Sequence, residues 1–233
     1  TIFGVASGRP FFVESSYQND FGGPMGRKAQ FTDIEVFDWL GRHLAAAPSV
    51  TVQQVSKGTG VSVGSIYHRY GSMDGLLAKA WFTAAQSYRG GLGRPLGRIG
   101  DGPVRRIALH SARWAEARPQ LARLLFCVPE RVLVRGAIGA RLEAQIAQAN
   151  EEFGLRVSEF VERNSLDPVR ANLGLFALPQ MIVAGYVDHG LFFQTVKPMI
   201  LNTLYALVQV GEGEGEDADD DNAADREEYP TDT

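Results

Sequence analysis

Apolar residues recur every three or four positions along most of the chain, a spacing that predicts α-helices. The first predicted helix begins after Thr32, where Glu35 three residues later completes a capping box. Long helices are predicted over residues 136–164, from Asp167 to about Tyr186, and from Pro198 to Val210. The apolar face of the first helix is expected to contain Ile34, Phe37, Leu40 and Leu44. The pattern therefore predicts an all-α protein.

Residues 51–77 contain three helix starts in close succession. Thr51, Ser62 and Ser72 can each cap a helix with a side-chain oxygen. Gly58 and Gly60 lie between the first two starts, where they permit the positive-φ backbone of a tight turn. The stretch is predicted to form two short helices joined by a turn, followed by a third helix.

The second short helix has the residue types of a helix that binds DNA. Small and polar side chains occupy its N-terminal turn, where exposed N–H groups and the helix dipole favour a phosphate. An N-terminal basic pair could also touch phosphates. The predicted DNA contacts are Arg27, Lys28, Thr51, Ser62, Val63, Gly64, Ser65, Tyr67, His68 and Arg69.

Residues 60–77 read GVSVGSIYHRYGSMDGLL and closely resemble the recognition-helix signature of the TetR/AcrR family of bacterial one-component transcription regulators. The resemblance implies an N-terminal three-helix helix-turn-helix domain followed by a larger α-helical ligand-binding and dimerisation domain. It also implies a dimer that binds a palindromic operator, most often as a repressor. Two positions depart from the family, because Val63 and Met73 stand where a cation is common. The absence of these two cations should weaken contacts to the DNA backbone.

Composition and the family resemblance together divide the chain into four predicted segments. Residues 1–30 lack periodicity and are expected to be disordered, residues 31–90 form the DNA-binding domain with its connecting helix, and residues 91–210 form the effector-binding and dimerisation domain. Residues 211–233 hold eleven acidic residues and one arginine, so this segment has a net charge of −10, whereas the whole chain has −4. The rest of the chain is therefore basic, at +6. An acidic, apolar-poor tail is expected to be disordered.

The resemblance places an effector pocket among the predicted helices that follow residue 101. An aromatic, uncharged lining would suit an apolar or planar small molecule. The last two helices are apolar around most of their circumference and are expected to pair with a second copy, so that a charge at Phe176 or Leu204 should give monomers or insoluble protein. The candidate effector contacts are His110, Trp114, Phe126, Phe153, Phe176, Gln180 and Tyr186.

No catalytic motif, cofactor fingerprint or metal-ligand spacing is present in the sequence, so neither an enzyme nor a metal or cofactor is expected. The single cysteine, Cys127, suits a reducing cytoplasm, and no stretch is apolar and long enough to span a membrane. An alternative interpretation is an all-α small-molecule-binding or interaction protein whose DNA binding is weakened. Neither the effector nor the operator follows from the sequence.

Overall fold

The structure is a computed structural model that describes residues 31–47, 49–190 and 193–208. Within these ranges the regular secondary structure is helical and contains no strand, so the prediction of an all-α fold is confirmed. The predictions for residues 1–30, including Arg27 and Lys28, and for the acidic tail lie outside the described residues.

The N-terminal unit comprises four helices, α1 Asp33–Ala46, α2 Val52–Thr59, α3 Val63–Tyr70 and α4 Met73–Gly90. The larger part follows with α5 Gly93–Leu96, α6 Asp101–Ala117, α7 Pro119–Ala122, α8 Glu130–Leu133, α9 Ala140–Arg163, α10 Pro168–Asn172, α11 Leu178–Tyr186 and α12 Phe193–Leu207. Single π-helical turns, Arg123–Cys127 and Leu173–Ala177, follow α7 and α10, and a 3₁₀ turn, Val187–His189, follows α11.

Capping side chains fix where the N-terminal helices begin, as the sequence predicts. The backbone N–H of Thr32 donates to the Glu35 carboxylate at 2.8 Å, and the Glu35 N–H donates to the Thr32 hydroxyl. The backbone hydrogen bond to Thr32 lowers the pKa of Glu35. Thr51 and Gln54 form the same reciprocal pair at the start of α2. Both capping boxes satisfy N–H groups that would otherwise have no partner inside the helix.

The core of the N-terminal unit is built from α1 and α4 beneath α2 and α3. Ile34 is 43% exposed, so its predicted place on the inner face of α1 is wrong. Val36 takes that place because it lies one turn before Leu40 on the buried stripe, whereas Ile34 lies to one side. On α4, the inner face is formed by four fully buried residues, Leu76, Leu77, Ala80 and Ala84.

Two boundaries in the larger part differ from the sequence prediction. Residues 91–102, for which the Gly-rich sequence predicts a loop between the two domains, contain α5. The terminal carbonyls of α5 accept hydrogen bonds from α9, since Arg163 donates to Leu96 O at 2.7 Å and Arg156 donates to Gly93 O at 2.9 Å. Helix α12 begins at Phe193, before Pro198, because the Glu116 carboxylate accepts the Phe193 N–H at 2.8 Å. The end of α5 and the start of α12 are therefore both completed by side chains that are distant in sequence.

The segment from α10 to α12 packs one face on α6 and leaves another face exposed. Phe176 and Leu204 are buried within the chain, so the expectation that they face a partner is wrong. A charge at either position would disrupt the protomer itself. Large apolar side chains are instead exposed at Val169, Leu173, Met181, Tyr186 and Met199. Among the described residues no helix is long and apolar enough to cross a membrane.

Candidate nucleic-acid interface

The turn between α2 and α3 is fixed by Gly60 and Ser62. Gly60 has φ 75° in the left-handed region, and its N–H donates to Ser56 O at 2.9 Å to close α2. Ser62 then caps α3, since its hydroxyl accepts the Ser65 N–H at 3.1 Å. Val55, Val61 and Ile66 are buried beneath the turn. The two short helices are therefore held as one unit by their shared apolar underside.

Gly58 is required for a different reason from the one predicted. Its φ is not positive, but the indole of Trp39 on α1 lies directly against it, and a methyl group at this position would overlap the ring. Trp39 also stacks on His43, with ring centroids 4.7 Å apart. The close approach of an aromatic ring, and not the turn conformation, demands glycine at position 58.

The N-terminal turn and outer face of α3 are accessible to a ligand. Ser62, Gly64 and His68 are exposed, and the Tyr67 side chain is exposed at 45%. Ser65 and Val63 are only partly exposed, because the Ser65 hydroxyl lies 2.8 Å from that of Ser62 and Val63 packs against the core. The exposed part of the predicted DNA-binding set thus clusters on one side of a single helix, with Thr51 exposed at the start of α2.

Arg69 joins α3 to α1 in this structure. Its guanidinium pairs with Asp33 at 2.8 Å and lies over the Phe31 ring, 5.2 Å from the centroid. The hydroxyl of Tyr70 donates to the same carboxylate at 2.5 Å, and burial together with this hydrogen bond raises the Tyr70 pKa. Asp33 therefore holds two neighbouring residues of α3, a function that the sequence prediction missed. The role of Arg69 in DNA binding remains a prediction.

Met73, in the position where a cation was expected, is the first residue of α4. Its side chain is partly buried and packs against the core, so no charge is presented there. The adjacent Asp74 pairs with Arg135 at 3.4 Å, which links the first turn of α4 to the segment after α8. On α2, Lys57 is exposed and supplies a cation near the turn.

Four of the predicted effector contacts surround a residue that was not predicted, Tyr88 of α4. The rings of His110, Trp114 and Phe126 approach the Tyr88 ring with centroids 4.9, 5.4 and 5.5 Å away. The Tyr88 hydroxyl lies 3.0 Å from the Ser111 hydroxyl and accepts from Gln180 at 3.4 Å. Burial raises the Tyr88 pKa, which keeps the phenol neutral. These side chains fill the space between them as packed core.

The other three predicted effector contacts lie apart from this cluster. Phe153 and Phe176 meet edge to face, with centroids 6.2 Å apart, and Tyr186 is on the exposed C-terminal face. Phe153 also lines a surface cleft between the last turn of α4 and the middle of α9. The structure therefore divides the seven residues among a packed core, a cleft and an outer surface.

A helix-turn-helix with an exposed second helix, joined by α4 to a larger helical part, defines the class of a DNA-binding transcription regulator. The sequence of residues 47–80 matches the family described as bacterial regulatory proteins, tetR family. This match covers α2, α3, the whole turn between them and the start of α4. No curated protein matches the chain.

Two solved structures share the fold. A TetR family transcription regulator from Marinobacter aquaeolei VT8 superposes with a TM-score of 0.54 at 16% identity, covering 76% of this chain and 94% of that one. A putative TetR-family transcriptional regulator from Rhodococcus sp. gives 0.53 at 15% identity, covering 75% and 97%. The helix-turn-helix of this chain thus matches the tetR family model, and the described chain is similar in fold to these TetR-family transcription regulators.

Proposed function

We propose that the protein is a one-component, ligand-responsive repressor that binds a palindromic operator as a homodimer in the cytoplasm. The exposed N-terminal turn of α3 supports the DNA-binding part of this proposal, because an open helix N-terminus can accept a phosphate while its outer side chains face the major groove. The family match covers the same residues. The proposed contacts are the exposed Thr51, Ser62, Gly64, Tyr67 and His68, flanked by Val63, Ser65 and Arg69.

The exposed apolar face between α10 and α12 supports a homodimer. Met181 is 69% exposed and Val169 is 68% exposed, although both are large apolar residues. Several exposed large apolar side chains in one C-terminal segment are typical of an interface with another protein. A second copy is the proposed occupant, because a palindromic operator requires two recognition helices related by a two-fold axis.

The course of α4 supports a response to a ligand. Its first turn is tied to the segment after α8 through the Asp74–Arg135 pair, and its last turns hold Trp81 and Tyr88 in the core of the larger part. A displacement of α4 would therefore move α3 in both subunits and change the spacing of the two recognition helices. By linkage, an effector that weakens operator binding must itself bind more weakly to the operator complex.

Size measurement and DNA binding test the proposal together. Light scattering coupled to size exclusion should give a dimer for the wild type and a folded monomer for Met181→Glu, since the charge is buried only if a partner covers it. The matched control is Gln145→Glu on the exposed side of α9. The dimer should bind DNA flanking its own gene, and the monomer should bind the same DNA more weakly. A folded wild-type monomer would overturn the dimer proposal.

The alternative function, an all-α binding protein with weakened DNA binding, is favoured by the uncharged Met73 and Val63. It predicts a dimer that binds small molecules but shows no preference for the flanking DNA over unrelated DNA. The same binding experiment therefore separates the two proposals.

A further inference from the structure

We propose that Asp33 of α1 attenuates DNA binding by competing with DNA phosphates for the guanidinium of Arg69. This role rests on the proposed function, because Arg69 lies beside the surface that is proposed to contact DNA. Asp33 is the first residue of α1, and Arg69 lies in the last turn of α3. The fold brings the two side chains together although they are 36 positions apart.

The position of Arg69 on α3 places it at the edge of the exposed face. Successive residues of an α-helix are about 100° apart, so Tyr67 and Arg69 flank His68 on opposite sides. His68 is exposed, and Ile66 is buried on the other side of the helix. A cation at the edge of a recognition helix meets the phosphate backbone, and phosphate contacts carry no sequence information. Arg69 would therefore add affinity for any DNA.

Asp33 brings a carboxylate to a unit that has none of its own. Residues 51–72, which contain α2, the turn and α3, include no aspartate or glutamate and two formal cations, Lys57 and Arg69. The first turns of α2 and α3 are free of acids, so no carboxylate there repels a phosphate. Pairing with Asp33 offsets one of the two positive charges.

The Arg69 guanidinium is held from two sides at the protein surface. Its Nε lies 2.8 Å from Asp33 Oδ1, and its cation lies 5.2 Å from the centroid of the Phe31 ring. The Tyr70 hydroxyl donates to the same oxygen of Asp33, which fixes the carboxylate beside α3. The side chains of Arg69 and Asp33 are 43% and 29% exposed, and an ion pair this exposed to water is weak. A phosphate can therefore compete with Asp33 for the guanidinium.

This competition removes the usual electrostatic gain from a cation at DNA. A cation that meets a phosphate releases a counterion, which steepens the plot of log binding constant against log salt by about 0.9. When Arg69 leaves Asp33 for a phosphate, the exposed carboxylate takes up a cation in exchange. When Arg69 stays with Asp33, no phosphate contact forms. In both cases Arg69 of the wild type should contribute little to the salt dependence.

Substitution of Asp33 by asparagine tests this role. The amide oxygen can still accept from Tyr70 and Arg69, whereas the negative charge is lost. Fluorescence anisotropy with the full-length protein measures binding to the DNA flanking its own gene and to an unrelated duplex. We expect Asp33→Asn to bind both DNAs more tightly, and by the same factor. That factor should be about threefold larger at about 50 mM than at about 200 mM salt for each α3 bound, since one phosphate contact is gained.

Arg69→Met shows whether the gain comes from the freed guanidinium. In the wild type it should change the salt slope by much less than one phosphate contact, and combined with Asp33→Asn it should abolish the gain. The matched control is Asp188→Asn in the larger part, which breaks an ion pair of similar geometry with Arg123, 2.7 Å from Nε to Oδ1. The control raises the net charge equally and should bind DNA as the wild type does. Thermal unfolding checks that each variant is folded.

A purely structural role for Asp33 predicts the opposite result, because a loosened α3 would bind DNA more weakly. Weaker or unchanged binding in Asp33→Asn, a gain confined to one DNA, a gain that survives Arg69→Met, or an equal gain in Asp188→Asn would each overturn the attenuating role. So would the loss of one full phosphate contact in Arg69→Met alone, which decides the question if Asp33→Asn does not fold.

The same titrations distinguish this role from the proposed function. Binding of both DNAs without preference, but more tightly after Asp33→Asn, would refute operator recognition and leave the role of Asp33 standing. A clear preference for the flanking DNA, with no gain in Asp33→Asn, would refute only the role of Asp33. If neither the wild type nor Asp33→Asn binds any DNA, both are refuted.

Discussion

Replacement of Gly64 by alanine separates the stability of the recognition helix from its contact with DNA. Gly64 lies in the first turn of α3, it is exposed, and a Cβ placed there meets only the Ser62 hydroxyl oxygen, at 3.9 Å. The methyl group therefore fits the free protein without strain. If the backbone of this turn approaches a phosphate, the same methyl group must lie between the helix and the DNA.

The substitution should raise the stability of the fold and lower the affinity for DNA. Alanine in place of a helical glycine stabilises the fold by about 0.5–1 kcal/mol, because less backbone entropy is lost on folding. For a chain of this size that corresponds to a rise in the melting temperature of about 1–4 °C. A displaced helix loses at least one hydrogen bond to a phosphate, worth roughly 1.5–3 kcal/mol, so operator binding should weaken by about tenfold to a hundredfold.

Thermal unfolding measures the first effect, and fluorescence anisotropy with labelled operator DNA measures the second. Gly102→Ala in the first turn of α6 is the matched control, since a Cβ there meets no atom within 4 Å and fits without strain. The control should gain stability and bind DNA as the wild type does. A Gly64→Ala protein that binds DNA with unchanged affinity would show that the first turn of α3 does not approach the backbone.

Two further substitutions test the same unit. Met73→Lys should strengthen DNA binding, because it adds a cation that can contact a phosphate. The plot of the logarithm of the binding constant against the logarithm of the salt concentration should become steeper by about one unit. An unchanged slope in titrations at several salt concentrations would refute this. Gly58→Ala should lower the free energy of unfolding by about 1–3 kcal/mol in urea denaturation, because Trp39 must move to make room for the methyl group. The double variant Gly58→Ala, Trp39→Ala should be no less stable than Trp39→Ala alone. If the losses of stability in the two single variants add up in the double variant, the contact is refuted.

Helix starts could be predicted from the sequence because a cap is a local interaction. Thr32 with Glu35, and Thr51 with Gln54, are three residues apart, so the chain itself brings the partners together. The start of α12 could not be predicted in this way. It depends on Glu116, which lies 77 residues before Phe193 and reaches it only after α6 has packed against α12.

The residues of α3 illustrate the same limit within the candidate site. Periodicity places Tyr67, His68 and Arg69 on the outer side of the helix, and all three are exposed. Only the tertiary structure reveals that Arg69 pairs with Asp33, 36 positions earlier, while Tyr67 makes no such contact among the described residues. Binding of Arg69 to a phosphate would have to replace this ion pair. Its contribution to DNA affinity should therefore be smaller than that of a cation with no partner.

The effector contacts depend on a distinction that periodicity cannot make. An aromatic residue on the inner face of a helix has the same spacing whether it packs against other side chains or lines a cavity. Trp114 and Phe126 are in mutual contact, with centroids 5.6 Å apart, whereas Phe153 reaches the edge of a cleft. Spacing alone therefore could not separate the packed rings around Tyr88 from the residue at the cleft, because only the tertiary structure shows which faces of the helices meet.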